Sequence, residues 1–174
     1  MATNRADTNE ETPTRKLSGL SAELTVAAQM VEYGWNIYSP HRDLGFDFIA
    51  SLPLEGGKVI MRPVQVRGRF PESMEDVPYL GKQKIELSQW HDEMVLAMPF
   101  FRTDDGLQKL VTVAFMPYYQ LRAKADKAKK WFACLPAKIA NREIIPRPYF
   151  KKFFDGPGIQ LMAMRDWKLT PIGK

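Results

Sequence analysis

The stretch GFDFIASLPLEGGKVIMRPVQVRGR, Gly45 to Arg69, constrains this chain more than any other. Two runs rich in β-branched and aromatic residues flank Gly56-Gly57, the pattern of a β-hairpin. Asp47 opens the first run, and Gln65 and Arg67 alternate at the end of the second. Residues two apart on a strand share a face, so Gln65 and Arg67 project together while Val64 and Val66 face a core. The loop decides whether Asp47 joins them. A two-residue loop at Gly56-Gly57 pairs Asp47 with Val66, on the wrong face. A three-residue loop, Glu55-Gly56-Gly57, slips the register by one and sets Asp47 opposite Gln65. Three-residue loops with a left-handed glycine are common, so this register, or a bulge of the same effect, is expected.

The surroundings of the hairpin are readable. Ser18 is suited to cap a helix that Gly34 ends. Leu20, Leu24, Ala27 and Val31 recur at helical spacing and read as its buried stripe, with Glu23 at the edge of that stripe. Trp35 to Tyr38 is a short strand stopped by Pro40. Phe46 to Leu52 and Val59 to Arg67 are the hairpin strands, and Pro63 suggests an edge position or a bulge. KIELSQWHDE reads as a short helix. MVLAMPFF and LVTVAFMP are two strands turned by TDDG, Thr103 to Gly106. A lysine-rich helix is expected from Tyr118 through Trp131. Strands arriving in hairpins, with helices at the ends, imply an α/β (α+β) mixed sheet flanked by helices. Residues 1–16 read as a disordered arm, and 17–174 as one domain.

Composition narrows the function classes. The 174 residues are 45% apolar and 26% charged, enough for one full core. The longest apolar run, Met94 to Phe101, is too short to span a bilayer as a helix, and the polar start is not a secretory signal. The single cysteine, Cys134, forms no disulfide within the chain and suits the cytoplasm. One Cys with two His, His41 and His91, excludes a structural zinc cluster, and both histidines read as turn and surface residues. Residues 1–117 hold 12 Lys and Arg against 16 Asp and Glu, while 118–174 hold 13 against 4. This basic last third suits either a polyanionic partner, nucleic acid first, or a solvated helix face. Neither a GxxxxGK[ST] nor a GxSxG string occurs, so P-loop nucleotide hydrolysis and serine esterase chemistry have no support.

An acid beside a polar-x-basic step is the layout of a metal-dependent phosphodiesterase. Magnesium takes hard oxygens and keeps several waters. Asp47 offers a charged oxygen, Gln65 a neutral carbonyl and the Val66 backbone carbonyl another. A cation at position 67 would stabilise charge growing on phosphorus. Glu23 could serve a second metal or an ordered water.

The strings GLSAELTVAAQMVEYGWNIYSPHRDLGFDFIA and VQVRGR resemble the PD-(D/E)XK, or restriction-endonuclease-like, nuclease superfamily, nearest its small Holliday-junction-resolvase-like domains. The resemblance covers roughly residues 18–117. It implies a helix glutamate at Glu23, a Gly-aromatic strand start at Gly34-Trp35, a catalytic acid at Asp47 and a Glu/Gln-x-Lys step at Gln65 and Arg67. It further implies a Mg²⁺- or Mn²⁺-dependent DNA endonuclease, and it leaves room for a homodimer. Two departures count. Gln replaces the commoner Glu at position 65, and Arg replaces Lys at position 67. Arginine stays protonated, so it holds phosphate but accepts no proton. A module that kept the fold and only binds nucleic acid is therefore the alternative.

Further candidate DNA contacts are Arg69, the Lys82 and Lys84 pair, and the ridge Lys124, Lys127 and Lys130 at helical spacing. For any single lysine, a solvated surface group is the favoured reading. Tyr149, Phe150, Phe153 and Phe154 interleave with Lys151 and Lys152; base stacking is one use, but core packing is the favoured reading.

Overall fold

The computed structural model describes residues 13–42, 45–71, 74, 84–86, 91–105, 107–123, 131–133 and 136–172. Helix α1, Pro13–Glu32, leads into β1, Asn36–Tyr38, and then into the hairpin of β2, Phe48–Pro53, and β3, Val59–Val66. β4, Lys84–Glu86, precedes the long hairpin of β5, Val95–Asp104, and β6, Leu107–Pro117. α2, Tyr118–Ala123, β7, Trp131–Ala133, the hairpin of β8, Ala137–Ala140, and β9, Glu143–Pro146, and α3, Asp155–Met162, complete the order.

Five strands form one sheet in the order β1-β2-β3-β5-β6. β3 and β5 run parallel and the other neighbours antiparallel. This mixed sheet with its helices is the α/β class expected. β4 pairs with β7, and β8 with β9, in two separate ladders. Among the described residues no helix is long and apolar enough to cross a membrane.

The alternation of the strands divides the core in two. Phe48, Ala50, Val64, Val66, Val95, Ala97, Val113 and Phe115 face α1 and the C-terminal Met162 and Trp167. Leu96, Met98, Phe100, Ala114 and Met116 point the other way, onto the β8–β9 hairpin and Phe153 and Phe154. Gln65 is opposite Leu96, and paired residues on neighbouring strands point to the same side of a sheet. Gln65 therefore belongs to the face of the β8–β9 hairpin, and α1 covers the other.

Several elements differ from the sequence expectations. α1 begins at Pro13, so Ser18 lies inside the helix, and residues 13–16 belong to it rather than to an arm. Its buried stripe is Ala22, Val26 and Met30, whereas Leu20, Leu24 and Val31 are 53%, 62% and 55% exposed. Small Ala22 lets the helix lie close to the end of β3, where a Cβ on Gly68 would come within 3.0 Å of the Ala22 Cβ. Gly34 does end the helix, at φ 83°, the left-handed turn that glycine enters most easily.

Pro63 sits in the middle strand of the sheet, neither at an edge nor in a bulge. The β5 ladder begins only at Val64, so the missing proline N–H deprives no neighbour. Lys84–Glu86 is a strand where a helix was expected, and Trp131 lies in β7 rather than at the end of the lysine-rich helix. Residues 87–90 and 124–130 lie outside the described residues.

Candidate active site

The hairpin register builds the site. Phe48 pairs with Val64 and Pro53 with Val59, and the Leu54 N–H donates to the Lys58 carbonyl at 2.8 Å. The loop is therefore Glu55-Gly56-Gly57, with Gly56 and Gly57 at φ 73° and 74°. Continued one residue past Phe48, this register would set Asp47 opposite Gln65. The Asp47 N–H instead donates to the Val64 carbonyl at 2.8 Å, the residue already paired with Phe48, so the ladder is bulged at Asp47 and the acid meets Gln65 through its side chain.

Asp47 is held from two sides. The Gln65 Nε2 donates to its Oδ2 at 2.9 Å, and the Val66 N–H donates to the same oxygen at 2.5 Å. Hydrogen bonds to a charged acceptor contribute about 1.5–3 kcal/mol each, so the carboxylate is fixed before any ligand arrives. An amide meets a carboxylate only through its NH₂, which leaves the Gln65 Oε1 for another partner. Gln65 is only 8% exposed, so its amide is fixed in turn.

Glu23, Asp47, Gln65 and Arg67 line one open cleft of about 500 Å³. Glu23 comes from the half-buried flank of α1. Burial pushes its carboxyl above the ordinary 4.5, the Asp47 charge adds to the rise, and Arg67 opposes it. Two carboxylates thus share a cleft closely enough to repel each other, a tension that a cation between them would relieve.

The Val66 carbonyl, expected as a metal ligand, has another partner: the Arg67 Nη1 donates to it at 2.9 Å. Val66 contributes to the site through its N–H. The cleft also contains His41 and Arg42, from the loop after β1, together with Pro40, Gly45 and Phe46. His41, expected as a turn residue, is thus part of the cleft, and Arg42 joins it with no expectation from the sequence. No short-range pattern ties that loop to β3; their shared position in the SPHRDLGFD string, just ahead of the acid, was the only signal.

Of the other expected DNA contacts, Arg69 is not among the residues that line this cleft. The Arg69 N–H donates to the Pro99 carbonyl and its carbonyl accepts from the Phe101 N–H, so its backbone continues along β5. Lys84 lies on β4. Lys82, Lys124, Lys127 and Lys130 lie outside the described residues.

The donor set suits a hard cation. Two carboxylates and one amide oxygen are oxygen ligands of the kind Mg²⁺ and Mn²⁺ take, with water and phosphate oxygens completing an octahedron. Among the described residues no group of three or more His, Cys, Asp or Glu stands close enough to hold one metal ion. No protein-family model, curated protein or solved structure matches the chain.

Proposed function

We propose that the cleft hydrolyses phosphodiester bonds in DNA with the help of Mg²⁺ or Mn²⁺, as a variant of the PD-(D/E)XK endonucleases. The observation that carries this reading is the convergence of Glu23, Asp47, Gln65 and Arg67, from a helix and two strands, on one cleft. Asp47, Gln65 and Glu23 would hold the cation. Once bound, it would supply Lewis acidity toward the phosphoryl group and the attacking water.

The chain's own residues do the rest. The two N–H donors fix Asp47, so its position costs nothing to reorganise during the reaction. Arg67 presents a planar guanidinium shaped to hold two phosphate oxygens at once. Its attraction grows as negative charge accumulates on those oxygens, so it favours the transition state over the bound substrate. Arg42 adds a second cation to the same cleft. The test is a cleavage assay on linear and branched DNAs with Mg²⁺ and with Mn²⁺, wild type against Asp47→Ala. Metal-dependent cleavage that disappears in the variant supports the reading. No cleavage by wild type, or cleavage unchanged by the substitution, ends it.

One observation favours a second reading. Arg67 bonds to the Val66 carbonyl and two N–H groups already meet Asp47. The Val66 N–H and carbonyl and the Asp47 Oδ2 are satisfied within the chain, as suits a nucleic-acid-binding or accessory module that kept this arrangement and lost the chemistry. That module binds DNA in EDTA and cleaves it with neither metal.

A further inference from the structure

The aromatic-basic segment near the C-terminus divides in the folded chain. Phe153 and Phe154 are buried and Phe150 packs against the same core. Tyr149, one residue before Phe150, is 62% exposed. It belongs to a 3-10 turn, Pro148–Phe153, that also presents Lys151 and Lys152 to solvent. From Lys138 to Lys152 the chain carries five cations and a single acid, Glu143.

This patch lies on the sheet face of the cleft. The β8–β9 hairpin and Phe153 pack on Leu96 and Met98, and Leu96 pairs with Gln65. It also shares a row with the site. Phe154 bridges Ala114, which pairs with Met98. Continuing the β3–β5 register by one residue sets Met98 beside Arg67. β6 is two strands beyond β3, about 10 Å at the usual strand spacing.

We propose that this surface binds a single-stranded stretch of the DNA substrate, with an unpaired base stacked on Tyr149 and phosphates held by Lys151 and Lys152. The ligand's identity rests on the nuclease reading above, but the binding itself requires no metal. A ring exposed among cations offers a platform that any unpaired base fits and that a base inside a duplex cannot reach. The cations supply the sequence-independent attraction to the backbone. The substrate class is then DNA with unpaired nucleotides (an overhang, a flap or a single strand) rather than blunt duplex.

The experiment is fluorescence anisotropy with the full chain in EDTA, using labelled oligo-dT and a blunt duplex of equal length over a range of salt. Wild type binds oligo-dT more tightly than duplex. Tyr149→Ser weakens oligo-dT binding by about 5- to 150-fold and leaves its salt slope and the duplex affinity unchanged. Tyr149→Phe keeps the ring and keeps the affinity. Lys151→Ala and Lys152→Ala each reduce the slope of log K against log salt by about 0.7. Equal affinity of wild type and Tyr149→Ser for oligo-dT overturns the proposal, as does a preference of wild type for blunt duplex. Tight oligo-dT binding without cleavage in Mg²⁺ or Mn²⁺ removes the nuclease reading and leaves this surface standing. Cleavage without single-strand preference does the reverse.

Discussion

Asp47 lies beside Gln65 at the open end of the β2–β3 hairpin, and the glutamine amide donates to its Oδ2 at 2.9 Å. The acid is held there by its neighbour's side chain and by the Val66 N–H together. Asp47→Ala should abolish metal-dependent cleavage and leave DNA affinity within about threefold, because phosphate attraction comes from cations elsewhere. Asp47→Asn is the finer variant. It keeps an acceptor for the Val66 N–H and loses the charge, so its thermal midpoint should stay nearer wild type while Mn²⁺ binding, read by electron paramagnetic resonance, disappears.

The pairing of Leu54 with Lys58 around the loop sets this register. Deleting Gly57 leaves that pair closing a two-residue connection, so Asp47 should stay beside Gln65 and Mn²⁺ binding and cleavage should both survive; their loss would show that the register depends on the three-residue loop itself. Gly56→Ala leaves the length intact. Its new Cβ meets nothing within 4 Å, and only the positive φ opposes it, at about 1–2 kcal/mol. That variant should melt earlier and still bind Mn²⁺; loss of the metal in Gly56→Ala would count against the register argument.

Arg67 distinguishes an altered enzyme from a lost one. In an altered enzyme, Arg67→Ala should cut the cleavage rate by about 10²- to 10³-fold, the scale of one preorganised charge contact, and weaken DNA binding far less. In a binding module, wild type is silent with both metals and Arg67→Ala lowers the salt slope by about one phosphate contact. Arg67→Lys removes the planar donor that bonds the Val66 carbonyl and installs the residue usual in the resembled family. Recovered cleavage in that variant alone would identify a site degraded at this position.

Glu23 carries the pH dependence. Its carboxyl is held above 4.5, first by burial and then by the Asp47 charge. The folded state therefore binds the proton more tightly than the unfolded chain, and stability falls as pH rises from 4.5 through the raised value. Glu23→Gln removes this dependence. Its thermal midpoint should exceed that of wild type at neutral pH, and the difference should shrink in acid. Divalent cation affinity of wild type should climb over the same window, because the cation competes with that proton. A difference in midpoint that stays constant from acid to neutral pH would contradict the assignment.

α1 shows how a site residue can be placed correctly within a wrongly oriented helix. The leucine stripe was expected inside, yet Ala22, Val26 and Met30 are buried and Leu20, Leu24 and Val31 are not. At about 100° per residue, Glu23 falls roughly 60° from the centre of the buried stripe and roughly 80° from the exposed one. Either orientation leaves it on a flank. Apolar periodicity weighed Leu above Ala, but the close approach of Gly68 to Ala22 favours the small residue at the contact.

What the sequence determined by itself is local. Alternation marked the strands, glycine conformation and loop length set the β2–β3 register, and Gly34 ended α1 at φ 83°. These follow from φ/ψ preferences and the two-residue period of a strand, which need no distant partner. Tertiary structure alone decided the rest: the parallel pairing of β3 with β5 that makes Pro63 central, the entry of His41 and Arg42 into the cleft, the Arg67 bond to the Val66 carbonyl, and the exposure of Tyr149 beside buried Phe153. Each depends on which segments far apart in the chain come into contact. That choice is made by the packing of whole faces, which no short window of sequence contains.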